Sequence, residues 1–551
     1  MPDEHLSYDP SIPHKQPGHG HPFAEFAAGP LISGPGGSLE VPVADRRLIA
    51  AFQNGLAVVA RGSRWSPQVK AALDRAFRAE LDLHRIIEAD SETILAAYEQ
   101  LAGATTDSSR SEIERQRDLR RIFAQAAEEQ ASDIHFKMFS GHCEIRIRVH
   151  GRLLTLATRS PEDGIALINA AFAVAADHGS SVGTNGFMKG ALSRSSGLLP
   201  AGIDLARLQY SPASGHLPFL AVRLKYAGDV NSNSDLGRLG YLPDHLVDLT
   251  LMRRRTSGLY LLAGKVSSGK TTTLQRLLNA MMEEKSHEIS IMAIEEPVEL
   301  DVAGAVHVAI TARSGQSREQ AFVEAVKATL RSDPNVVVIG ELRDRELAGH
   351  AIEFSMTGHS LWSTVHAGSA LGILDRLSDL GIENWKLADP AIVRGLVYQR
   401  LIGVLCPNCR ISCAEVLHRG DLAPRLAERT TGVTGQPLSH LYVRGPGCQQ
   451  CRGGLIGRTV VAETIMPDPH LLEFYARGDR TGMRSHWLRK KSAGGLGGLP
   501  VLHHAMIKVG MGLCDINEVE EEVDLISAYE RDFPEQARSL PADISASRCT
   551  A

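Results

Sequence analysis

Apolar and polar positions divide the chain into segments of different periodicity. Residues 1–43 have little apolar periodicity and are rich in Pro, Gly and His, so we predict a disordered tail there. Residues 44–104 alternate short apolar runs with amphipathic stretches, which predicts a small α/β domain. The Ser-, Thr- and Asp-rich stretch at 105–111 indicates a linker after that domain.

A second and a third domain follow. Residues 112–235 begin with a helical period and continue with alternating strands at 143–149 and 219–226. From residue 236, apolar strands at 259–263, 289–294 and 336–339 are separated by helical patterns. Strands that alternate with helices predict an α/β fold with a mostly parallel sheet in residues 236–551.

Composition limits the cellular locations and the binding partners that can be expected for this chain. The chain has 551 residues, 43% apolar and 22% charged, and no apolar run approaches the ~20 residues of a membrane-spanning helix. Its start has no basic stretch followed by an apolar core, so we expect no secretory signal and a cytoplasmic location. The net charge is −5. With no global excess of basic residues, no direct binding to nucleic acid is expected.

A phosphate-binding motif stands in the third domain. Its GxxxxGK[ST] spacing lies directly after an apolar strand and before a helical pattern, which is the context the motif requires. Backbone N–H groups and the helix N-terminus would face phosphate oxygens, Lys270 would reach the β- and γ-phosphates, and the Thr271 hydroxyl would ligate Mg²⁺. The predicted nucleotide-binding residues are Gly264, Ser268, Gly269, Lys270, Thr271 and Thr272.

Acidic residues end two further apolar strands. Glu341 follows the strand at 335–340, where a carboxylate supports Mg²⁺ opposite a phosphate loop. Glu295 and Glu296 lie at the end of another strand, where neighbouring side chains point to opposite sides. One of the two would polarise the attacking water while the other has a structural role, and an ordinary surface turn is the alternative.

Four cysteines have the spacing of a metal site. Two CxxC pairs, Cys406 with Cys409 and Cys448 with Cys451, flank a 38-residue insert. Four thiolates at this spacing bind Zn²⁺ tetrahedrally in a closed, structural site. A redox pair and unliganded thiols are the alternatives.

These motifs, in this order, resemble a known family. The phosphate loop, IMAIEEPVEL (291–300), TLRSDPNVVVIGELRDRELA (329–348) and TGHSLWSTVHAGSA (357–370) are similar to the motifs of the secretion ATPases of type II secretion, type IV pilus assembly and some conjugation machines. The similarity extends to about residues 44–530 through the segments ASDIHF, IRIRVHGRL, QRLIGVLCPNC, GCQQCRGGLIGRT and GMGLCDINEVEEEV. The resemblance implies a RecA-like P-loop core in residues 236–551, a PAS-like α/β domain before it and a zinc-binding subdomain at 400–458.

The resemblance also assigns roles to individual residues. Glu341 matches the Walker B glutamate, Glu295 the glutamate of the aspartate box and His366 the histidine box, which is thought to sense or position the γ-phosphate. Which glutamate is the general base stays open. Arg207 and Arg223 match arginines that the domain at 112–235 supplies to the nucleotide, and Glu296 and Arg331 match further nucleotide-binding positions.

Departures from the family pattern concern the finer geometry. Lys265, Val266 and Ser267 replace the usual Pro-Thr-Gly of the phosphate loop, so Ser267 must adopt a backbone shape usually left to glycine. Glu296 replaces an aspartate, and Lys327 stands where an arginine is common.

A biological role follows from the resemblance. It implies a homohexamer that hydrolyses ATP and is recruited to the inner face of the inner membrane by a platform protein, with residues 44–104 as the docking domain. The four cysteines favour assembly or export over pilus retraction. The alternatives are a nucleic-acid translocase of a conjugation system, disfavoured by an aromatic content of 5%, and a nucleotide-binding scaffold with degraded catalysis.

Overall fold

The computed structural model describes residues 31–34, 38–42, 45–64, 66–79, 81, 83–175, 186–212, 218–227, 234–295, 298, 300–310, 316–451 and 453–550. Residues 1–30 of the predicted tail, and Glu296, lie outside this part of the chain. The described residues form two compact units. The first holds those up to Arg146 and Thr155–Leu224, and the second holds Ile147–Leu154 and the residues from Lys225 onward.

A small three-stranded sheet opens the first unit. Its strands are β1 (Ile49–Ala51), β2 (Leu56–Ala60) and β3 (Arg85–Ala89), with β1 antiparallel and β3 parallel to the central β2. Helix α1 (Pro67–Arg78) connects β2 to β3 and begins at Ser66, whose hydroxyl accepts the Val69 N–H at 3.3 Å.

The predicted disordered tail is wrong for its described end. Leu39 and Val41 are buried in the small cores that flank the sheet. The buried Ser33 hydroxyl accepts hydrogen bonds from Ala51 N and from the Tyr98 hydroxyl, at 2.9 and 2.8 Å. Apolar side chains that cover a sheet, together with backbone bonds such as Val41 N to Ser33 O at 3.0 Å, order this segment.

The predicted linker at 105–111 is also wrong. Helix α2 (Ser91–Glu128) runs through it without interruption. No proline occurs between residues 91 and 128, and the single glycine, Gly103, costs only ~1 kcal/mol relative to alanine. Ser, Thr and Asp disfavour a helix only weakly, so the flanking helical sequence decides the conformation.

Six further strands form one sheet in the order β6-β5-β4-β9-β8-β7. Alternation predicted its strands well, since every second residue of Cys143–Val149 is buried. Helix α3 (Pro161–Val174) follows β6 in the chain. The hydroxyl of its N-cap residue, Ser160, accepts the Asp163 N–H at 3.1 Å. The strands are β4 (Asp133–Met138), β5 (Cys143–Val149), β6 (Arg152–Arg159), β7 (Met188–Ser193), β8 (Ile203–Pro212) and β9 (Pro218–Tyr226).

The second unit is built on a seven-stranded sheet of order β12-β11-β13-β14-β10-β15-β18. All neighbours are parallel except the antiparallel pair of β15 and β18. The strands of this unit are β10 (Gly258–Ala263), β11 (Ile291–Glu295), β12 (Val306–Ala309), β13 (Val336–Ile339), β14 (Ser360–Val365), β15 (Val393–Leu405), β16 (Ile411–Ser412), β17 (Tyr442–Val443) and β18 (Leu455–Ile465).

Helices cover both faces of this sheet. Successive residues of β10 belong to two different cores, with Leu259 and Leu261 in one and Tyr260 and Leu262 in the other. Burial on both faces explains why the strands read as continuous apolar runs. The first helices are α4 (Pro243–Arg254), α5 (Lys270–Glu284), α6 (Arg318–Leu330), α7 (Arg345–Met356), α8 (Gly372–Asp379) and α9 (Asn384–Leu387).

A third core in the second unit joins the insert between β15 and β18 to the C-terminal helices. Buried Cys413 and Leu441 of the insert pack with Met506 and Tyr529. The insert contains β16 paired with β17, and helices α10 (Cys413–Arg419) and α11 (Pro424–Thr434). The C-terminal helices are α12 (Pro469–Ala476), α13 (Arg480–Leu488), α14 (Val501–Gly510), α15 (Ile516–Glu522), α16 (Ile526–Asp532) and α17 (Pro534–Thr550).

Candidate nucleotide-binding and catalytic site

The predicted site residues of the second unit meet at the carboxyl edge of its parallel sheet. The phosphate loop follows β10, Glu341 comes two residues after β13, His366 follows β14, and Glu295 ends β11. In the sheet order β11-β13-β14-β10 these strands are consecutive neighbours. Since the ends of parallel strands meet at one edge, the topology alone places the four groups side by side.

The phosphate loop has the sharply turned backbone that its motif requires. Gly264 and Gly269 have φ of +152° and +83°, and Ser267 has φ of +64° despite its side chain. Helix α5 begins directly after the loop, at Lys270. The Lys270 ammonium donates to the carbonyl oxygens of Gly264 and Lys265 at 2.8 and 3.0 Å. The expectation that Ser267 takes a glycine-like conformation is confirmed.

Each carboxylate oxygen of Glu341 has a basic side chain beside it. His366 Nε2 lies 2.8 Å from Oε1, and Arg343 Nε donates to Oε2 at 2.7 Å. Glu341 also acts electrostatically on Lys270: burial lowers the pKa of that lysine, and the nearby carboxylate opposes the effect. The structure thus brings together Lys270, Glu341 and His366.

Glu295 has different surroundings from Glu341. Only 5% of it is exposed, and both of its carboxylate oxygens are in reach of the Leu300 N–H, at 3.3 and 3.2 Å. His307 Nδ1, on the neighbouring β12, lies 3.9 Å from Oε2. The reading of this strand end as an ordinary surface turn is disfavoured by the burial of Glu295.

The remaining predicted nucleotide-binding residues lie in different places. Ser268 is buried, Thr271 is half-buried and Thr272 is exposed, all at the loop and the start of α5. Arg331 is exposed and is the C-cap that follows α6. Arg207 and Arg223 belong to the first unit, on β8 and β9, where Arg223 Nε pairs with Asp133 at 3.2 Å. A role for these arginines at the nucleotide stays a prediction.

Sequence reasoning missed two residues that contact the site. Arg343 holds Glu341, and Gln399 of β15 donates from Nε2 to the Ser268 carbonyl oxygen at 2.7 Å. Arg343 stands two residues after Glu341, so its proximity is visible in the sequence. Gln399 could be noticed only as an uncharged polar residue between the apolar stretches of its strand.

The four predicted metal ligands converge. The sulfur atoms of Cys406, Cys409, Cys448 and Cys451 lie within 4.8 Å of one another. Sulfur–sulfur distances are 3.8 Å for Cys406 and Cys448, 3.5 Å for Cys409 and Cys451, and 3.8 Å for Cys448 and Cys451. Four sulfurs placed ~2.3 Å from a central Zn²⁺ would be about 3.8 Å apart, so this donor set fits the ion. All four thiols are free of disulfides.

Local hydrogen bonds favour the thiolate form of Cys448, whereas burial and the neighbouring thiols raise the pKa of Cys409 to about 12. Asn408 Nδ2 and Gln450 N both donate to the Cys448 sulfur at 3.4 Å, and they lower the pKa of that thiol to about 6. The tight turn before Cys448 depends on Gly447, which has φ of +108° and leaves no room for a Cβ beside Gly453 N. Lowered proton affinity and tight turns are both typical of thiolate metal ligands.

Comparison with known proteins decides the family. A family model described as type II/IV secretion system protein matches residues 202–503. The chain is 32% identical over 376 residues to the protein transport protein HofB homolog of Escherichia coli, covering 67% of this chain and 74% of that protein. The chain belongs to the type II/IV secretion system protein family.

Further members of the family show similar identity. The type II secretion system protein E of Klebsiella pneumoniae is 31% identical over 368 residues, with 65% of this chain and 67% of the relative covered. Among solved structures, the ATPase DotB of Legionella pneumophila is 17% identical, with a TM-score of 0.47, and 73% of this chain and 94% of DotB are covered.

Family membership confirms three predictions. The fold class is the RecA-like α/β core with its preceding α/β domain and its tetracysteine cluster. The family is confirmed as that of the secretion ATPases, and the enzyme class as an ATP hydrolase. Within the described part of the chain, no helix has the length and apolar character needed to cross a membrane.

Proposed function

We propose that this chain hydrolyses ATP at the carboxyl edge of its parallel sheet and thereby powers pilus assembly or protein secretion across the bacterial envelope. One observation carries the proposal: the loop at 264–271, Glu341, His366 and Glu295 occupy the ends of four neighbouring strands. A phosphate-binding loop faced by carboxylates is the arrangement that phosphoryl transfer to water requires.

The loop and Glu341 bind the triphosphate end of ATP. Backbone N–H groups of the loop and the N-terminus of α5 face the phosphates, and Lys270 moves from the loop carbonyls to the β- and γ-phosphate oxygens. The Thr271 hydroxyl and a Glu341 oxygen are hard ligands that suit Mg²⁺, which neutralises charge on the phosphates when bound. His366, whose Nε2 lies 2.8 Å from Glu341 Oε1, would sense or position the γ-phosphate.

Glu295 is the residue we assign as general base. Glu341 lies between two basic side chains, His366 and Arg343, that favour its charged, weakly basic form. Glu295, which accepts from the Leu300 N–H, is buried one strand further along the same edge, and burial favours a carboxylate that takes up a proton. The attacking water transfers a proton to Glu295 while its oxygen bonds to the γ-phosphorus. The bond from that phosphorus to the β–γ bridging oxygen breaks, and ADP leaves with the electron pair.

Arg207 and Arg223 provide the second part of the mechanism. Guanidinium groups neutralise the charge that develops on the γ-phosphoryl group, and groups from another domain would couple hydrolysis to domain closure.

Replacing either arginine with alanine should lower kcat at least tenfold with little change in ATP affinity. Asp133→Asn, which removes the partner of Arg223 but keeps the guanidinium, is the matched control; equal loss in both variants would indicate a structural role.

We further propose a homohexamer at the inner face of the inner membrane. Resemblance to the secretion ATPases supports a ring recruited by a platform protein through residues 44–104, and the tetracysteine cluster supports assembly or export. Analytical ultracentrifugation with a non-hydrolysable ATP analogue should show six-subunit particles. Membrane vesicles that contain the platform protein should bind the chain, and vesicles without it should not.

Lys270→Ala tests the core of the proposal. The variant should lose ATP turnover by at least a hundredfold while its circular dichroism spectrum stays unchanged, because the fold does not need the ammonium. Lys285→Ala, at an exposed position just after α5, should keep full activity. Undiminished turnover in Lys270→Ala would refute the site. Turnover that rises with single-stranded DNA would favour the translocase instead.

A further inference from the structure

Gln399 contacts the phosphate loop with both its backbone and its side chain. It is fully buried on β15, next to β10 in the sheet. A Cβ on Gly264 would lie 2.4 Å from the Gln399 carbonyl oxygen, and one on Gly269 would lie 3.2 Å from Gln399 Nε2. The same Nε2 donates to the Ser268 carbonyl oxygen at 2.7 Å. Gly264 therefore packs against the backbone of Gln399, and Gly269 packs against its side chain.

Tyr241 fixes the orientation of the Gln399 amide. Its hydroxyl donates to Gln399 Oε1 at 2.6 Å and lies 3.3 Å from the Thr273 hydroxyl on α5. All three residues are buried. Burial also raises the pKa of Tyr241, so its hydroxyl keeps the proton that it donates. With Oε1 accepting from Tyr241, the amide can only present Nε2 to the loop.

The loop needs such support because it is strained. In a loop whose N–H groups face a phosphate, carbonyl groups point outward and need their own donors when they are buried. Ser268 is 5% exposed, so its carbonyl depends on Gln399. Ser267 has φ of +64°, which disfavours any residue with a side chain. A strained backbone persists only where its surroundings determine it.

We propose that Tyr241 and Gln399 are positioning residues that hold the strained phosphate loop in the shape that binds the triphosphate of ATP. This inference rests on the proposed function of the loop. The two residues do not touch the reacting atoms, so they act on nucleotide affinity rather than on the chemical step.

Variants of the two residues should weaken ATP binding selectively. Tyr241→Phe removes one buried hydrogen bond, and we expect the Kd for MgATP, measured by titration calorimetry, to rise about fivefold. Gln399→Leu should raise the Kd further, and KM should follow Kd while kcat stays within about twofold. Tyr260→Phe is the matched control, because that buried tyrosine donates to Ser257 O at 2.9 Å in the same sheet. It should bind MgATP as the unaltered chain does.

A second substitution separates positioning from stability. Ser267→Gly removes the backbone strain of the loop, which Tyr241 and Gln399 are proposed to counteract. Tyr241→Phe combined with Ser267→Gly should therefore regain MgATP affinity to within about twofold of the unaltered chain. Ser286 also has a positive φ, +51°, near the opposite end of α5. Tyr241→Phe combined with Ser286→Gly should regain melting temperature but not affinity.

Two results would overturn the inference. One is unchanged MgATP affinity in both Tyr241→Phe and Gln399→Leu, and the other is equal recovery of affinity by the Ser267 and Ser286 glycine variants. Lys270→Ala distinguishes a failure of the positioning role from a failure of the proposed function of the loop. If Lys270→Ala abolishes MgATP binding while the Tyr241 and Gln399 variants bind normally, only the positioning role fails; if Lys270→Ala still binds MgATP, the proposed function of the loop fails.

Discussion

Lys508→Met should stabilise the second unit at neutral pH. Lys508 lies on α14 with only 5% of it exposed, and its ammonium donates to the Gly240 carbonyl oxygen at 2.8 Å and to the Thr459 hydroxyl at 2.6 Å. Burial lowers the pKa of Lys508 from 10.5 to about 8. The titratable groups that interact with it are His245, His504 and Cys514.

The expected magnitude follows from that pKa. A drop from 10.5 to about 8 corresponds to about 3 kcal/mol, since a tenfold change in proton affinity is worth about 1.4 kcal/mol. Because the pKa is lower in the folded chain than in the unfolded chain, the charge destabilises the fold fully below pH 8, and the cost fades as the pH rises to 10.5. Methionine removes this cost together with two hydrogen bonds of ~1 kcal/mol each. Gly240 O keeps a donor in His504 Nε2 at 3.1 Å.

We therefore expect a net gain of about 1–2 kcal/mol at pH 7, seen as a rise of a few degrees in the melting temperature. At pH 10 the variant should be no more stable than the unaltered chain. Thermal unfolding followed by intrinsic fluorescence at both pH values measures this, with Lys285→Met as the exposed control. A Lys508→Met chain that is less stable at pH 7, or a gain that is the same at pH 10, would refute the reasoning.

Three further predictions concern the metal cluster and the catalytic edge. Denatured chain should release about one equivalent of zinc to a chromophoric chelator, and Cys448→Ser should release less than a tenth of that, with exposed Cys549→Ser as the control. Gly447→Ala should also lose zinc, because a Cβ there would lie 2.9 Å from Gly453 N. Gly453→Ala is the control: its φ of +63° is also positive, as is the +108° of Gly447, but its Cβ would meet no atom within 4 Å, so it should retain most of the zinc. His366→Ala should lower kcat at least tenfold with MgATP affinity within about twofold, as steady-state kinetics and calorimetry would show; weaker binding at unchanged kcat would contradict a role in sensing the γ-phosphate.

The residues of the catalytic edge were largely predictable, because short sequence motifs identify them and the parallel sheet places the strand ends together. An apolar strand followed by a Gly-rich turn and a helix identifies the loop, and parallel pairing places strand ends together. Glu341 and His366 were assigned from their motifs, and the structure puts them 2.8 Å apart. The four cysteines were equally accessible from the sequence, since ligand spacing in CxxC pairs is a short-range property.

Contacts between distant segments could not be predicted in the same way. Tyr241 and Gln399 are 158 residues apart, and only the tertiary packing of the segment before α4 against β15 brings them together. The sequence gives no sign that Lys508 is buried, because a single lysine in a helix is usually exposed to solvent. The ordered Leu39 and Val41 were missed because a few apolar residues among glycines and prolines give no periodic signal, although they suffice to cover a small sheet.

The segment that leads into α4 links the phosphate loop to the C-terminal helices through two consecutive residues. Lys508 and His504 of α14 hold the Gly240 carbonyl oxygen, and the next residue, Tyr241, holds Gln399 against the loop. Gly240 has φ of +98°, and a Cβ there would lie 2.0 Å from the Thr459 hydroxyl, so only glycine fits at this position. Because Gly240 and Tyr241 are joined by one peptide bond, the hydrogen bonds at Gly240 restrain the backbone that carries the Tyr241 side chain. Hydrogen bonds thus connect α14 to the phosphate loop through Gly240, Tyr241 and Gln399.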